Sequence, residues 1–255
     1  MIRIENTGVY GFEAAIRGMR NPMNSHDKSD SHLCPCAAYL ERYCPMVLSD
    51  DEPAKECDPE KYRFCIGEND FKLMQTLSAA GTDHGKFLRM ITVTADITAP
   101  LYWWKEFDTY KVGTVANSCS TMHKIADKEF TLDDFSHEHL MIDAKTAGTE
   151  LLDTAGIGTD ILVTPKSWLN ISIVILNNFR TRYLETKDKK WWWQMIQLLP
   201  SSYNQRRTVQ LNYAVLKNIY HARKGHKLDE WNQFCQWIEG LPYSELITNT
   251  DVIRR

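Results

Sequence analysis

Residues 199–231 read LPSSYNQRRTVQLNYAVLKNIYHARKGHKLDEW. In a helical register this stretch sets Arg206, Asn212, Asn218 and Arg223 at intervals of six, six and five, while Leu211, Val215, Leu216 and Ile219 must face a core. A segment patterned this way folds only against an apolar partner, so it fixes the C-terminal half as packed helix with a polar face. A guanidinium grips a phosphate or a flat heterocycle with forked donors. A side-chain amide reads a ring edge by donating and accepting together. These residue types suit a nucleotide-like ligand, although on spacing alone a solvated helix face with two ordinary arginines is the simpler reading.

The chain has 255 residues, enough for one large domain or two small ones, and its 43% hydrophobic and 25% charged residues are ordinary for a globular protein. A net charge of −3 gives no whole-protein attraction for nucleic acid or an acidic membrane, so any anion must be held by a local cluster. No window approaches the roughly 18 consecutive apolar residues of a spanning helix. The first residues lack an apolar signal core with a small-residue cleavage site, which leads us to expect a cytoplasmic protein. Only 12 glycines are present, against a glycine-rich nucleotide fold.

Cys34, Cys36, Cys44, Cys57 and Cys65 crowd into one segment, whereas Cys119 and Cys235 stand alone. Such crowding in a cytosolic chain points to metal more often than to disulfides. The spacing lacks the paired CxxC knuckles of a strong zinc signal. A zinc site, with His26 and His32 close enough to join, therefore remains open beside a loosely packed thiol-rich insertion, which the spacing favours.

Along the chain, a short edge strand is expected at 2–4 and a helix at 13–19, and an aperiodic insertion at about 24–65 follows. Periodicity predicts a helix at 68–80 and a strand at 87–98. Ala99-Pro100 closes that strand, and a helix is expected at 101–107. Thr131 resembles a helix start, His137–His139 a charged surface helix, and long helices are expected at 167–185 and 190–199. Trp191, Trp192 and Trp193 cannot all point inward on a helix, so at least one should meet a partner subunit or a ligand. The expectation is a single α+β domain spanning 1–255, with a mixed sheet and long C-terminal helices.

Leu199-Pro200, Asn212, Asn218, Arg223 and, one residue late, Trp231 resemble the C-terminal signature of the flavin-dependent thymidylate synthases. Ala214 stands where that family has the arginine of Asn-Ala-Arg, and Ile196 where an arginine precedes Leu-Pro. The likeness extends upstream through the strand and Ala99-Pro100. Counted without gaps, Thr109, Tyr110 and Lys111 occupy the family's Arg-His-Arg positions, Thr114 that of the next serine, and Cys119 to Met122 those of Ser-x-Arg-Tyr. A shift of one residue instead aligns Asn117 and Ser120 with the family's Asn and Ser, and both registers stay open. Glu106 replaces a glutamine that touches the pyrimidine, and His84 falls on the histidine of a His-Glu-Thr turn that helps hold the flavin.

The resemblance implies reductive methylation at C5 of dUMP, giving dTMP, with FAD as cofactor and methylenetetrahydrofolate and NADPH as co-substrates. It implies a homotetramer without nucleic-acid or membrane partners. By resemblance Arg223 contacts the pyrimidine and carries the catalytic role. Arg206, Glu106, Ser118, Cys119 and Ser120 join it around the substrate. His84, Thr109, Tyr110, Lys111, Asn117, Asn212 and Asn218 would hold the flavin. Cys119 is weighed as a nucleophile because a nearby Lys111 would favour its thiolate, but its place in a family serine position suits packing beside a phosphate. Two alternatives remain: a related flavin enzyme with another pyrimidine nucleotide, and a non-catalytic nucleotide-binding or assembly protein on the same fold.

Overall fold

The computed structural model describes residues 1–33, 64–143, 149–151 and 161–249. Cys34, Cys36, Cys44 and Cys57, and with them most of the expected insertion, lie outside the described residues. Four strands, β1 (Arg3–Tyr10), β4 (Thr92–Pro100), β5 (Val115–Ser118) and β8 (Asn204–Asn212), form a sheet of order β1-β4-β8-β5. Two short antiparallel pairs accompany it: β2 (His32–Leu33) with β3 (Phe64–Cys65), and β6 (Thr149–Leu151) with β7 (Ile161–Val163). The helices are α1 (Phe12–Arg20), α2 (Glu68–Ala79), α3 (Leu101–Phe107), α4 (Thr121–Lys124), α5 (Pro165–Thr186), α6 (Lys189–Leu198), α7 (Tyr213–Arg223), α8 (Asp229–Glu239) and α9 (Glu245–Thr248). The expected α+β architecture is what the chain adopts.

β4 alternates as a strand covered on one face should: Val93, Ala95, Ile97 and Ala99 are buried, and Thr92, Thr94, Asp96 and Thr98 are half-exposed. The Asp96 carboxylate accepts from Asn6 Nδ2 at 2.8 Å and from Thr208 Oγ1 at 2.5 Å, tying β4 to a strand on either side. This strand starts later than its composition predicts. Gly85–Met90 is a 3-10 helix, because adjacent Phe87 and Leu88 are both buried and break the alternation. A second correction concerns residues 204–212, expected to be helical and in fact β8. There the alternation of buried Val209 and Leu211 wins, and the helix begins only at Tyr213, with Asn212 as its cap. The four polar residues of the opening register therefore do not share one helix. No helix forms at 137–139 either.

The described residues fall into two compact units. The first comprises Met1–Arg3, Ile97–Thr109 and Asn117–Arg207, and the second the described parts of Ile4–Asp96, Tyr110–Ala116 and Thr208–Arg255. In the first, Phe130, Phe135, Leu169, Leu176 and Met195 form a core around the α5–α6 hairpin. Thr164 caps α5, accepting from the Ser167 amide at 3.2 Å with Pro165 in the first turn. Lys187 (φ 54°) ends α5 in the left-handed region, and the Asp188 carboxylate opens α6 by accepting from the Lys190 amide at 3.0 Å. Trp191 stacks on Phe179 and Trp192 donates to the Met122 carbonyl, which leaves Trp193 as the exposed member of the triplet.

In the second unit a buried pair, Arg20 Nε donating to Asp70 Oδ1 at 2.6 Å, anchors both flanks of the insertion. Burial alone raises the Asp70 carboxyl, but the Ser29 and Ser31 hydroxyls and then Arg20 outweigh it and hold it below the ordinary value. The start of α2 is held by Asp30, whose carboxylate accepts from the amides of Asn69 (2.8 Å) and Asp70 (3.0 Å).

Candidate functional site

Arg223 is the last residue of α7, and its half-buried guanidinium lies on an aromatic floor. Its Nε donates to the Tyr110 hydroxyl at 2.8 Å, and its Cζ stands 4.6 Å from the centre of the Trp231 ring and 5.6 Å from that of Tyr110. The Tyr110 and Trp231 rings meet edge to face at 6.1 Å, and Trp231 is fully buried. The chain therefore joins Arg223, Tyr110 and Trp231, which are far apart in sequence, into one cluster. Gly225 (φ +74°) then turns the backbone so that His226 returns, its Nε2 3.3 Å from Arg223 Nη1. The Leu228 amide donates to His226 Nδ1 at 3.1 Å. A neutral imidazole accepts at one nitrogen only, so one of these two contacts sets donor against donor.

At the other end of α7 Asn212 is spent on the backbone. Its Oδ1 accepts from the Val215 amide at 3.0 Å, and its Nδ2 donates to the Gly113 carbonyl at 3.5 Å. Gly113 sits at φ +78°, and a Cβ there would come within 2.8 Å of Asn212 Nδ2. This approach needs glycine. Asn212 thereby ties the Lys111–Thr114 turn to α7. Lys111 itself is exposed.

A cavity of about 370 Å³ lies within the same unit. One wall is a single face of α7, with Ala214, Lys217, Asn218 and His221 at positions i, i+3, i+4 and i+7. The opposite wall includes Thr82, Gly85, Leu88 and Arg89, which belong to the turn that contains His84 and to the 3-10 helix that follows it. The structure thus brings Asn218 to the turn expected to hold a cofactor, although the exposed His84 does not itself line the cavity. Arg89, Lys217, His221 and His226 were not singled out in the sequence. The i, i+3, i+4, i+7 recurrence carried the signal for the α7 pair.

The remaining candidates belong to the first unit, and most serve its own backbone. Thr109 Oγ1 donates to the Glu106 carbonyl at 2.7 Å at the end of α3. Ser120 caps α4, accepting from the His123 amide at 3.3 Å. Asn117 and Ser118 are exposed on β5, and Cys119 follows with its thiol exposed and its amide donating to the Arg206 carbonyl at 2.9 Å. The Arg206 side chain is exposed on β8. Trp103 and Trp104 are fully buried, so they serve the core and do not stack on a ligand. Arg207, beside Arg206, is the structural one: it lies 4.2 Å from the Trp104 ring and pairs with Asp108 at 2.7 Å. Burial pushes the Cys235 thiol up to about 11, which makes it inert. Among the described residues no cluster of three or more His, Cys, Asp or Glu could hold a metal ion, and no helix is long and apolar enough to cross a membrane.

Compared with solved structures, the chain superposes over its full length on Thymidylate Synthase X (ThyX) from Helicobacter pylori, a complex with FAD and dUMP, with a TM-score of 0.60, 13% identity and 100% of each chain covered. It has the fold of the flavin-dependent thymidylate synthases. A second such structure from the same organism gives a TM-score of 0.59 at 15% identity, covering 96% of this chain and 98% of that one. The UMP/dUMP methylase PolB from Streptomyces cacaoi, bound with 5-Br UMP, gives 0.56 at 13% identity, covering 97% of this chain and 94% of that one. No family model matches the sequence, and no curated protein does. The fold is thus visible in three dimensions at a sequence identity of only 13–15%.

Proposed function

We propose that this chain is a divergent flavin-dependent methylase of pyrimidine nucleotides, converting dUMP to dTMP with methylenetetrahydrofolate, FAD and NADPH. The observation that carries the reading is the Arg223 cluster. The arginine that aligns with the pyrimidine-binding residue of the resembling family lies on Trp231 and is held by Tyr110, on a fold shared with enzymes whose structures hold FAD and dUMP. The α7 cavity is consistent with a cofactor of this kind. Its volume falls in the usual range for small-molecule sites, and Asn218 and Thr82 supply side-chain hydrogen-bonding groups on an otherwise largely apolar wall.

When bound, the flavin would supply the hydride for the methyl group. The protein's part is orientation and electrostatics. Arg223, with its Nε bonded to Tyr110 and its plane resting on Trp231, would turn its guanidinium towards a uracil carbonyl. There it would stabilise negative charge as that charge develops, which is worth most in a site closed to water. Neither Cys119, exposed at the end of β5, nor buried Cys235 is needed for this chemistry. NADPH, folate and the cytoplasmic location belong to this proposal, as does a homotetramer. The assembly is supported by the apolar face that α5 leaves uncovered, with Trp168 60%, Ile171 43% and Val174 59% exposed.

A ribonucleotide substrate is the second reading, supported by the likeness to a UMP/dUMP methylase and by Thr109 and Lys111 standing at Arg-His-Arg positions. Incubation of the FAD-loaded protein with NADPH, methylenetetrahydrofolate and either dUMP or UMP, followed by chromatography of the nucleotides, separates the two. A 5-methylated product from dUMP supports the first and one from UMP the second. No product from either, with flavin bound, refutes the methylase reading.

A further inference from the structure

Arg89, Lys217 and His221 all line the α7 cavity, and none of its described lining residues is an aspartate or a glutamate. Lys217 is half-buried, and its ammonium donates to the Ser78 carbonyl at 2.9 Å and to Ser78 Oγ at 2.7 Å. Both acceptors are neutral, so they solvate the charge without cancelling it. The Ser78 hydroxyl donates onward to the Leu246 carbonyl at 2.9 Å, which turns its lone pairs to the ammonium and fixes the ammonium's position. Burial lowers the Lys217 ammonium from its ordinary value. Burial, then the charges of Lys217 and Lys224, lower His221, opposed by a hydrogen bond to the Ile247 backbone. Lys217 is thus a half-buried ammonium with no carboxylate among the cavity's described lining residues, and the exposed Arg89 and His221 stand beside it. An anion that enters the cavity would pair with that ammonium.

We propose that Arg89, Lys217 and His221 form a phosphate-binding site in this cavity, holding a phosphate ester whose flat ring system lies against the apolar wall. The identity of that ester rests on the proposed function, which offers two sources: the diphosphate of the flavin dinucleotide and the monophosphate of the pyrimidine nucleotide. Lys217 is a fixed point charge, Arg89 an exposed fork from the 3-10 helix, and His221 a donor one helical turn beyond Lys217. Asn218, between the two on the same face, is placed to read the edge of the ring.

The test compares ligands that differ by phosphate alone, on the full chain and on the variants Lys217→Met and Arg89→Gln. FAD, FMN and riboflavin are followed by flavin fluorescence, and dUMP and deoxyuridine by calorimetry. Methionine keeps the length of Lys217 and removes a buried charge, and the Arg89 side chain is exposed, so thermal melts should show both variants folded. Loss of one charge-assisted contact weakens binding on the order of tenfold. That loss is expected for FAD and FMN with riboflavin unchanged if the cofactor phosphate sits here, or for dUMP with deoxyuridine unchanged if the substrate phosphate does. Equal binding by variants and wild type, or equal loss of the phosphate-free ligands, overturns the site. Inorganic pyrophosphate titrated alone separates this inference from the proposed function. If it binds the wild type and binds Lys217→Met more weakly, the site stands even where no flavin or nucleotide binds. If it does not bind, or binds both equally, the site is rejected.

Discussion

Helix α7 and the segment from Thr109 to Ser120 carry the two halves of the likeness to flavin-dependent thymidylate synthases, and they use their polar groups in opposite ways. α7 presents long cationic and amide side chains away from its own backbone: Lys217, Asn218 and His221 line a cavity, and Arg223 lies on Trp231. The central segment keeps short hydroxyls that bond locally, Thr109 to the end of α3 and Ser120 to the start of α4. Short hydroxyls compete for neighbouring backbone groups, whereas long cations reach past them. The lesson is that Thr109 and Ser120 are absorbed into structure, whereas Tyr110 is drawn into the Arg223 cluster and α7 faces space that a ligand can fill.

The comparison breaks most visibly at the aromatic floor. Trp231→Ala removes a fully buried ring and should cost about 3–5 kcal/mol of stability, read as a large drop in melting temperature. A small drop would mean that the floor under Arg223 is not a packed platform. Arg223→Ala should spare the fold and weaken pyrimidine-nucleotide binding by about 1.5–3 kcal/mol, on the order of tenfold or more in calorimetry. Unchanged affinity would remove Arg223 from the site.

Between these regions in effect stands Gly113→Ala, which places a Cβ against Asn212 in a left-handed backbone. A loss of about 1–2 kcal/mol in denaturant titration is expected. A neutral result would show that the Asn212–Gly113 link is dispensable. Cys119→Ser should change stability by less than about 0.5 kcal/mol and leave most turnover intact, as its exposed position suggests. Abolished turnover with normal nucleotide binding would indicate a covalent cysteine pathway and reverse the roles assigned to the two regions.

Much of the fold could be read from local chemistry. Glu68–Ala79, Leu101–Phe107 and the α5–α6 hairpin follow from apolar spacing, while the Thr164 and Asp188 caps set starts at 165 and 189, slightly before the 167 and 190 that spacing predicts. Residues 204–212 misled because a stretch with period two ran without a break into one with period 3.6. Asn212 marked the border as a capping residue. The Arg223–Tyr110 contact joins residues 113 positions apart, which no local pattern encodes; only the family likeness drew both into one site. Arg89 and Lys217 escaped notice because a lysine or arginine on a helix reads as solvated until its neighbours are known, and here they include the buried Ser78.

The most direct test of the central claim is the visible absorption spectrum of the purified chain after incubation with FAD and desalting, recorded before and after dUMP is added. The expected result is a retained flavin spectrum that shifts when dUMP binds, with the shift reduced in Arg223→Ala. A folded protein that emerges colourless, or whose flavin bands do not respond to any pyrimidine nucleotide, would contradict it.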